Sequence, residues 1–105
     1  MSEPAAGPSG PGTVVMELGA DVGALILYAP AELDGREIEI SRDGDPGAPR
    51  THSQVRQRHV ATVTKYAAVY PSLPAGQYTI WRDQDRAAAT ATIAGGHVTS
   101  CCWPE

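Results

Sequence analysis

The sequence predicts an all-β fold: a single antiparallel β-sandwich of seven or eight strands behind a disordered N-terminal tail. Three observations carry that expectation. Short apolar or alternating runs recur at roughly 8–12-residue spacing. Clusters of Gly, Pro and Asp turn residues separate them, and no segment keeps a helical period. At 105 residues the chain has room for one domain, with roughly 60–65% of its unfolded surface buried.

Residues 1–12 are Pro, Gly, Ser and Ala around a single charge, Glu3. Nothing in them buries enough surface to offset the entropy of ordering, so a flexible tail is expected there and a folded domain over 13–105. Residues 13–18 read as a strand. Residues 24–29 are almost wholly apolar, as in a strand covered on both faces, and Pro30 stops them. The Asp34-Gly35 turn pair leads into 36–41, where Ile38 and Ile40 alternate against Glu37, Glu39 and Ser41.

The Asp- and Pro-rich stretch 43–49 is a loop. A polar strand over 51–58 and an apolar one over 66–70 follow. Pro71 and Pro74-Ala75-Gly76 turn the chain into 77–81, 87–93 and 97–103, with 83–85 and Gly95-Gly96 as hairpin turns. A helix over 82–94 competes on alanine propensity, but Thr90, Thr92 and the Gly pair favour a strand. Ile38, Ile40, Tyr78, Ile80 and Ile93 take the inward parity.

The stretch Leu73-Pro74-Ala75-Gly76-Gln77-Tyr78-Thr79-Ile80, a hairpin, an alternating strand, Gly95-Gly96 and Val98-Thr99 resembles the C-terminal half of carboxypeptidase-regulatory-like domains. Those belong to the transthyretin-like (prealbumin-like) sandwiches. The resemblance spans about 66–103 and implies that fold, with almost nothing about activity. The whole chain is also similar to a family of short actinobacterial proteins, which implies no activity either. Arg in place of Lys at all basic positions but Lys65, and abundant Ala, suit a GC-rich bacterial genome.

A net charge of −4 lacks the electrostatic footprint of a nucleic-acid binder. No run approaches the roughly 18 apolar residues of a membrane-spanning helix, and the first 12 residues form no secretory signal. A cytoplasmic location is therefore expected, without nucleic acid or membrane as partner. Metalloprotease, phosphate-loop, nucleophile-elbow and Cys-x-x-Cys motifs are all missing. Asp43-Gly44-Asp45 lacks the later acidic ligands of a calcium loop. His97 and Cys101 share a strand face but stand about 13 Å apart at roughly 3.3 Å per residue, too far for one metal. No cofactor, metal site or catalytic residue is expected.

The candidate interaction surface is Arg50, His52, Arg56 and Arg58, which share one parity, together with Trp81. Two readings of the cationic strip stand: a partner-binding surface, or an answer to Glu37 and Glu39 across a hairpin that sets Glu37 near Arg56. Trp81 points outward, opposite to Tyr78 and Ile80, and either lies over a neighbouring strand or joins a contact patch.

Cys101 and Cys102 are adjacent and so face opposite ways along a strand. With Thr99 and Trp103 inward, Cys101 is expected buried and inert, and Cys102 is the candidate reactive thiol. The chain reads as a non-catalytic interaction or accessory module for a protein partner. A small enzyme or ligand carrier using loop His and Tyr residues is the alternative. A pocket gathering two such groups would favour the latter, and a flat apolar patch around Trp81 the former.

Overall fold

The computed structural model describes residues 20–44 and 49–104. The expected tail, the strand at 13–18 and the middle of the 43–49 loop lie outside the described residues. Those residues form eight strands: β1 Val22–Ala29, β2 Glu37–Arg42, β3 Thr51–Gln54, β4 Arg56–Val60, β5 Val63–Pro74, β6 Gly76–Trp81, β7 Ala87–Ile93 and β8 Val98–Cys102. One sheet runs β4-β5-β1-β8 and the other β3-β2-β6-β7. A single 3-10 turn, Ala31–Leu33, follows Pro30. No helix among the described residues is long and apolar enough to cross a membrane.

Both sheets supply the same core. Leu25, Leu27, Ala68, Tyr70 and Leu73 come from the first sheet and meet Ile38, Ile40, Tyr78, Ile80, Ala91 and Ile93 of the second. The period-two alternation of β2 and β6 is the cause, since each buries every second residue. All five residues expected to face inward are buried. β1 is buried from Ala24 to Leu27 because its second face carries Ile26, which packs with Ala67 and Val69. Tyr70 crosses the core, and its hydroxyl donates 2.7 Å to the Ile38 carbonyl. That bond ties β5 of one sheet to β2 of the other.

The sheet holding β1 is mixed, which corrects the expectation of a purely antiparallel fold. β8 runs parallel to β1, with Ala24 opposite Val98 and Tyr28 opposite Cys102. The cause is that β7 and β8 lie in different sheets, so Gly95-Gly96 makes a crossover and not a hairpin turn. The corner is tight: a Cβ on Gly23 would stand 2.4 Å from the Ala94 carbonyl oxygen and 2.7 Å from Ile93 Cγ2.

The polar strand expected over 51–58 is two strands in two sheets. Val55 is fully buried between them; its N–H donates to the Arg36 carbonyl at 2.9 Å and its carbonyl accepts from Gly35 at 2.8 Å. Burying this one aliphatic side chain carries the chain across the core. On β5 just beyond the residue opposite the start of β4, Val69 is met by Ser53 of β3, whose hydroxyl donates to the Val69 carbonyl at 2.8 Å and accepts from the Val69 N–H at 3.2 Å.

β5 is much longer than the 66–70 run. It pairs with β4 through a two-residue turn at Ala61-Thr62, closed by Val60 opposite Val63. Ala61 there adopts φ 55°, a left-handed conformation that glycine or asparagine usually supplies.

Candidate functional site

Arg50, just before β3, organises the outer face of the second sheet. Its Nη1 lies 2.9 Å from Glu39 Oε1, and its Nη2 donates to the Gln84 carbonyl at 2.8 Å. Its guanidinium carbon stands 3.9 Å from the centroid of the Trp81 ring. Below it, the Trp81 indole N–H donates 2.8 Å to Ser41 Oγ on β2. Trp81 therefore lies over a neighbouring strand with Arg50 as its roof.

The cationic strip does not exist as one surface. β3 pairs with β2 so that His52 is opposite Glu39 and Gln54 is opposite Glu37. His52 Nδ1 stands 3.6 Å from Glu37 Oε1. Arg56 and Arg58 leave with β4 for the other sheet, opposite Ala67 and Lys65, so the expected Glu37–Arg56 neighbourhood is absent. The Val55 crossover is the physical reason. Arg58 donates through Nε to the Ala67 carbonyl at 3.3 Å. Burial, and then the Arg56 charge, lower its pKa from the usual value.

Of the groups named for an enzyme or carrier, Tyr28 and Tyr66 line one open cleft of about 250 Å³ with Ala29, Thr64 and Lys65, while the three histidines are not brought together. His52 is on β3, His59 is 3.3 Å from Thr64 Oγ1 on the β4–β5 hairpin, and His97 precedes β8. The Tyr70 and Tyr78 hydroxyls donate to backbone carbonyls of Ile38 and Pro74, each at 2.7 Å. Cys101 is half-buried, less enclosed than expected, and Cys102 is exposed; both are free thiols. Burial foremost, and then the Cys102 charge, push the Cys101 thiol pKa up.

What the sequence reading missed is the surroundings of Trp103. Its backbone N–H donates 2.7 Å to the Tyr28 carbonyl, which fixes the residue at the end of the β1/β8 pair. Two guanidinium carbons stand near its ring centroid, that of Arg82 at 5.3 Å and that of Arg36 at 5.7 Å. Arg36 also donates from Nη2 to the Arg82 carbonyl. Arg36 immediately precedes β2, Arg82 immediately follows β6, and Trp103 immediately follows β8. Antiparallel pairing of β2 with β6 brings the first two together. The only sequence signal was their place beside strand ends.

Two clefts, each about 290 Å³, share Arg82 at this end. One is lined by Pro30, Glu32, Leu33, Arg82, Trp103 and Pro104. The other lies between Arg36, Glu37, Glu39, Trp81, Arg82 and Asp83. Among the described residues, neither Arg36 nor Arg82 forms a salt bridge with a carboxylate. A guanidinium offers a planar fork of five N–H donors, and an indole offers a broad apolar face. Together they can hold a group that joins an anionic or carbonyl oxygen to an apolar body.

No family model, curated protein or solved structure matches the chain.

Proposed function

We propose that this chain is a transthyretin-like β-sandwich that acts as a non-catalytic interaction or accessory module in the cytoplasm. Its contact surface is the arginine–tryptophan end. The observation that carries this reading is the convergence of Arg36, Arg82, Trp81 and Trp103 around two clefts, with Arg50 stacked on Trp81 beside them. Trp and Arg are the residues that dominate the energetics of protein interfaces, because they combine large contact area with directed hydrogen bonding. Two four-stranded sheets with a shared core support the sandwich assignment, and the free thiols of Cys101 and Cys102 suit a reducing compartment.

The test is affinity capture from the native host with wild type and with an Arg36→Ala/Arg82→Ala double variant. The reading requires a partner retained by wild type and lost from the double variant, with both proteins equally folded. Equal retention by both would refute this surface. Turnover of a small molecule by the purified chain would refute the non-catalytic role.

A further inference from the structure

Charge is divided unevenly between the two sheets. The chain has 12 acidic residues and a net charge of −4, yet none of the strands of the first sheet, β4, β5, β1 and β8, holds an Asp or Glu. Arg56, Arg58 and Lys65 are the Arg and Lys residues of those strands, and they share one face. Ala67 packs on the outer side of the sheet with Ile26 and Val69, and Lys65, two residues earlier, projects the same way. Arg56 is opposite Ala67 and Arg58 is opposite Lys65, and opposed residues project to the same face. Among the described residues, no carboxylate forms a salt bridge with any of the three.

That arrangement costs stability in the free chain. Like charges directly opposite in an antiparallel pair, with Cβ atoms roughly 4.5–5.5 Å apart, repel each other, and an anion set between them reverses the sign. A space for the rest of such a ligand adjoins the charges. The last β1–β5 pair is Ala29 opposite Tyr66, whereas β5 begins at Val63. The β4–β5 hairpin therefore overhangs the end of β1. At this step Tyr28, Ala29, Thr64, Lys65 and Tyr66 line the open cleft of about 250 Å³, and the Lys65 ammonium stands 5.1 Å from the centroid of the Tyr28 ring.

We propose that the β4–β5 hairpin binds a phosphate monoester of an aromatic ring, with the phosphate between Arg58 and Lys65, Arg56 beside it, and the ring against Tyr28 in the cleft. A phosphate monoester carries about −1.5 to −2 charge at pH 7 and three acceptor oxygens, which answers the three cations. A carboxylate carries one charge and leaves the others unanswered. Guanidinium groups hold phosphate oxygens through paired N–H donors. The cleft is smaller than the roughly 300–1,000 Å³ of a drug-sized pocket, so it admits one ring, and the Tyr28 face offers that ring a stacking partner. Arg56 and Lys65 are exposed, so water and salt compete and dissociation near about 1 mM follows. The ring belongs either to a free small molecule or to a phosphotyrosine of a partner protein. None of the cleft residues lines the two clefts of the arginine–tryptophan end, so this reading and the one above can fail separately.

Amide NMR shifts of the full chain, followed as phenyl phosphate is raised to about 20 mM, read the site directly. Saturable shifts at Arg58, Thr64, Lys65 and Tyr66 are expected, and benzoate at equal ionic strength binds at least about fivefold more weakly. Lys65→Gln and Arg56→Gln each weaken phenyl phosphate binding at least about fivefold, while Arg86→Gln leaves it unchanged. Thermal melting separates a lost site from a lost fold: Lys65→Gln relieves the opposed pair and melts no lower than wild type. A short phosphotyrosine peptide that binds tighter than phenyl phosphate assigns the ring to a partner protein, and one that binds no tighter assigns it to a free small molecule. No saturable shift, shifts confined to Arg36 and Arg82, or equal sensitivity to Arg86→Gln and Lys65→Gln overturns the proposal. So does benzoate or inorganic phosphate bound as tightly as phenyl phosphate.

Discussion

Replacing Tyr70 with Phe removes one oxygen atom from the middle of the core. Tyr70 is 1% exposed, and its hydroxyl is the donor to the Ile38 carbonyl across the two sheets. The ring stays and no cavity of consequence opens. The loss is one buried hydrogen bond, with an acceptor left short of a partner, which costs about 1–3 kcal/mol. For a domain of this size each kcal/mol lowers Tm by roughly 4–8 °C.

A pH signature separates this bond from simple packing. Burial first, and the Cys101 charge second, hold the Tyr70 phenol well above its usual pKa. The folded state therefore keeps the proton at a pH where the unfolded chain releases it. Stability from this group is complete below about pH 10 and falls as pH rises above it, by up to about 1.4 kcal/mol per pH unit. The Phe variant lacks that slope. Urea unfolding at pH 7 and pH 11 should show a deficit of about 1–3 kcal/mol for the variant, narrowing by about 1.4 kcal/mol at the higher pH. A variant within about 0.3 kcal/mol of wild type at pH 7, or a deficit independent of pH, would show that the Tyr70–Ile38 bond adds no stability.

Ala61→Gly, at the left-handed position of the β4–β5 turn, should raise stability by about 0.5–1 kcal/mol in urea melts. Gly23→Ala drives a methyl group into the Ala94 carbonyl and Ile93; a loss of more than about 2 kcal/mol or no soluble folded protein is expected, and a wild-type melt would be inconsistent with the crossover. In thiol labelling of the folded chain, Cys102 should react first and the half-buried Cys101 more slowly; equal rates would contradict the face assignment of β8.

The core was legible in the sequence because period-two alternation survives burial. Ile38, Ile40, Tyr78, Ile80 and Ile93 could be placed inward from spacing alone. The break at Val55 was not legible, since a strand that changes sheets keeps an extended backbone and no Gly or Pro marks the crossing. That one residue undid the cationic strip, whose parity argument assumed a continuous strand. The β4–β5 turn was hidden for a related reason: Ala61 holds a conformation for which its side chain gives no signal. The parallel β1–β8 pair depends on which sheet each strand joins, a long-range choice that local pattern does not encode. Trp103 was read as an inward residue, but Arg36 and Arg82 reach it only because three strand ends meet.

Binding of a partner through the arginine–tryptophan end is checked by footprinting the complex. The partner captured with wild type is bound at saturation, and oxidation of Trp103 and Trp81 by hydroxyl radicals is compared in free and bound chains. Trp103 and neighbouring Pro104 and Leu33 are expected to be protected in the complex, while Val63 on the β4–β5 hairpin stays as reactive as in the free chain. Unchanged oxidation at both tryptophans, with protection appearing on another face, would contradict it.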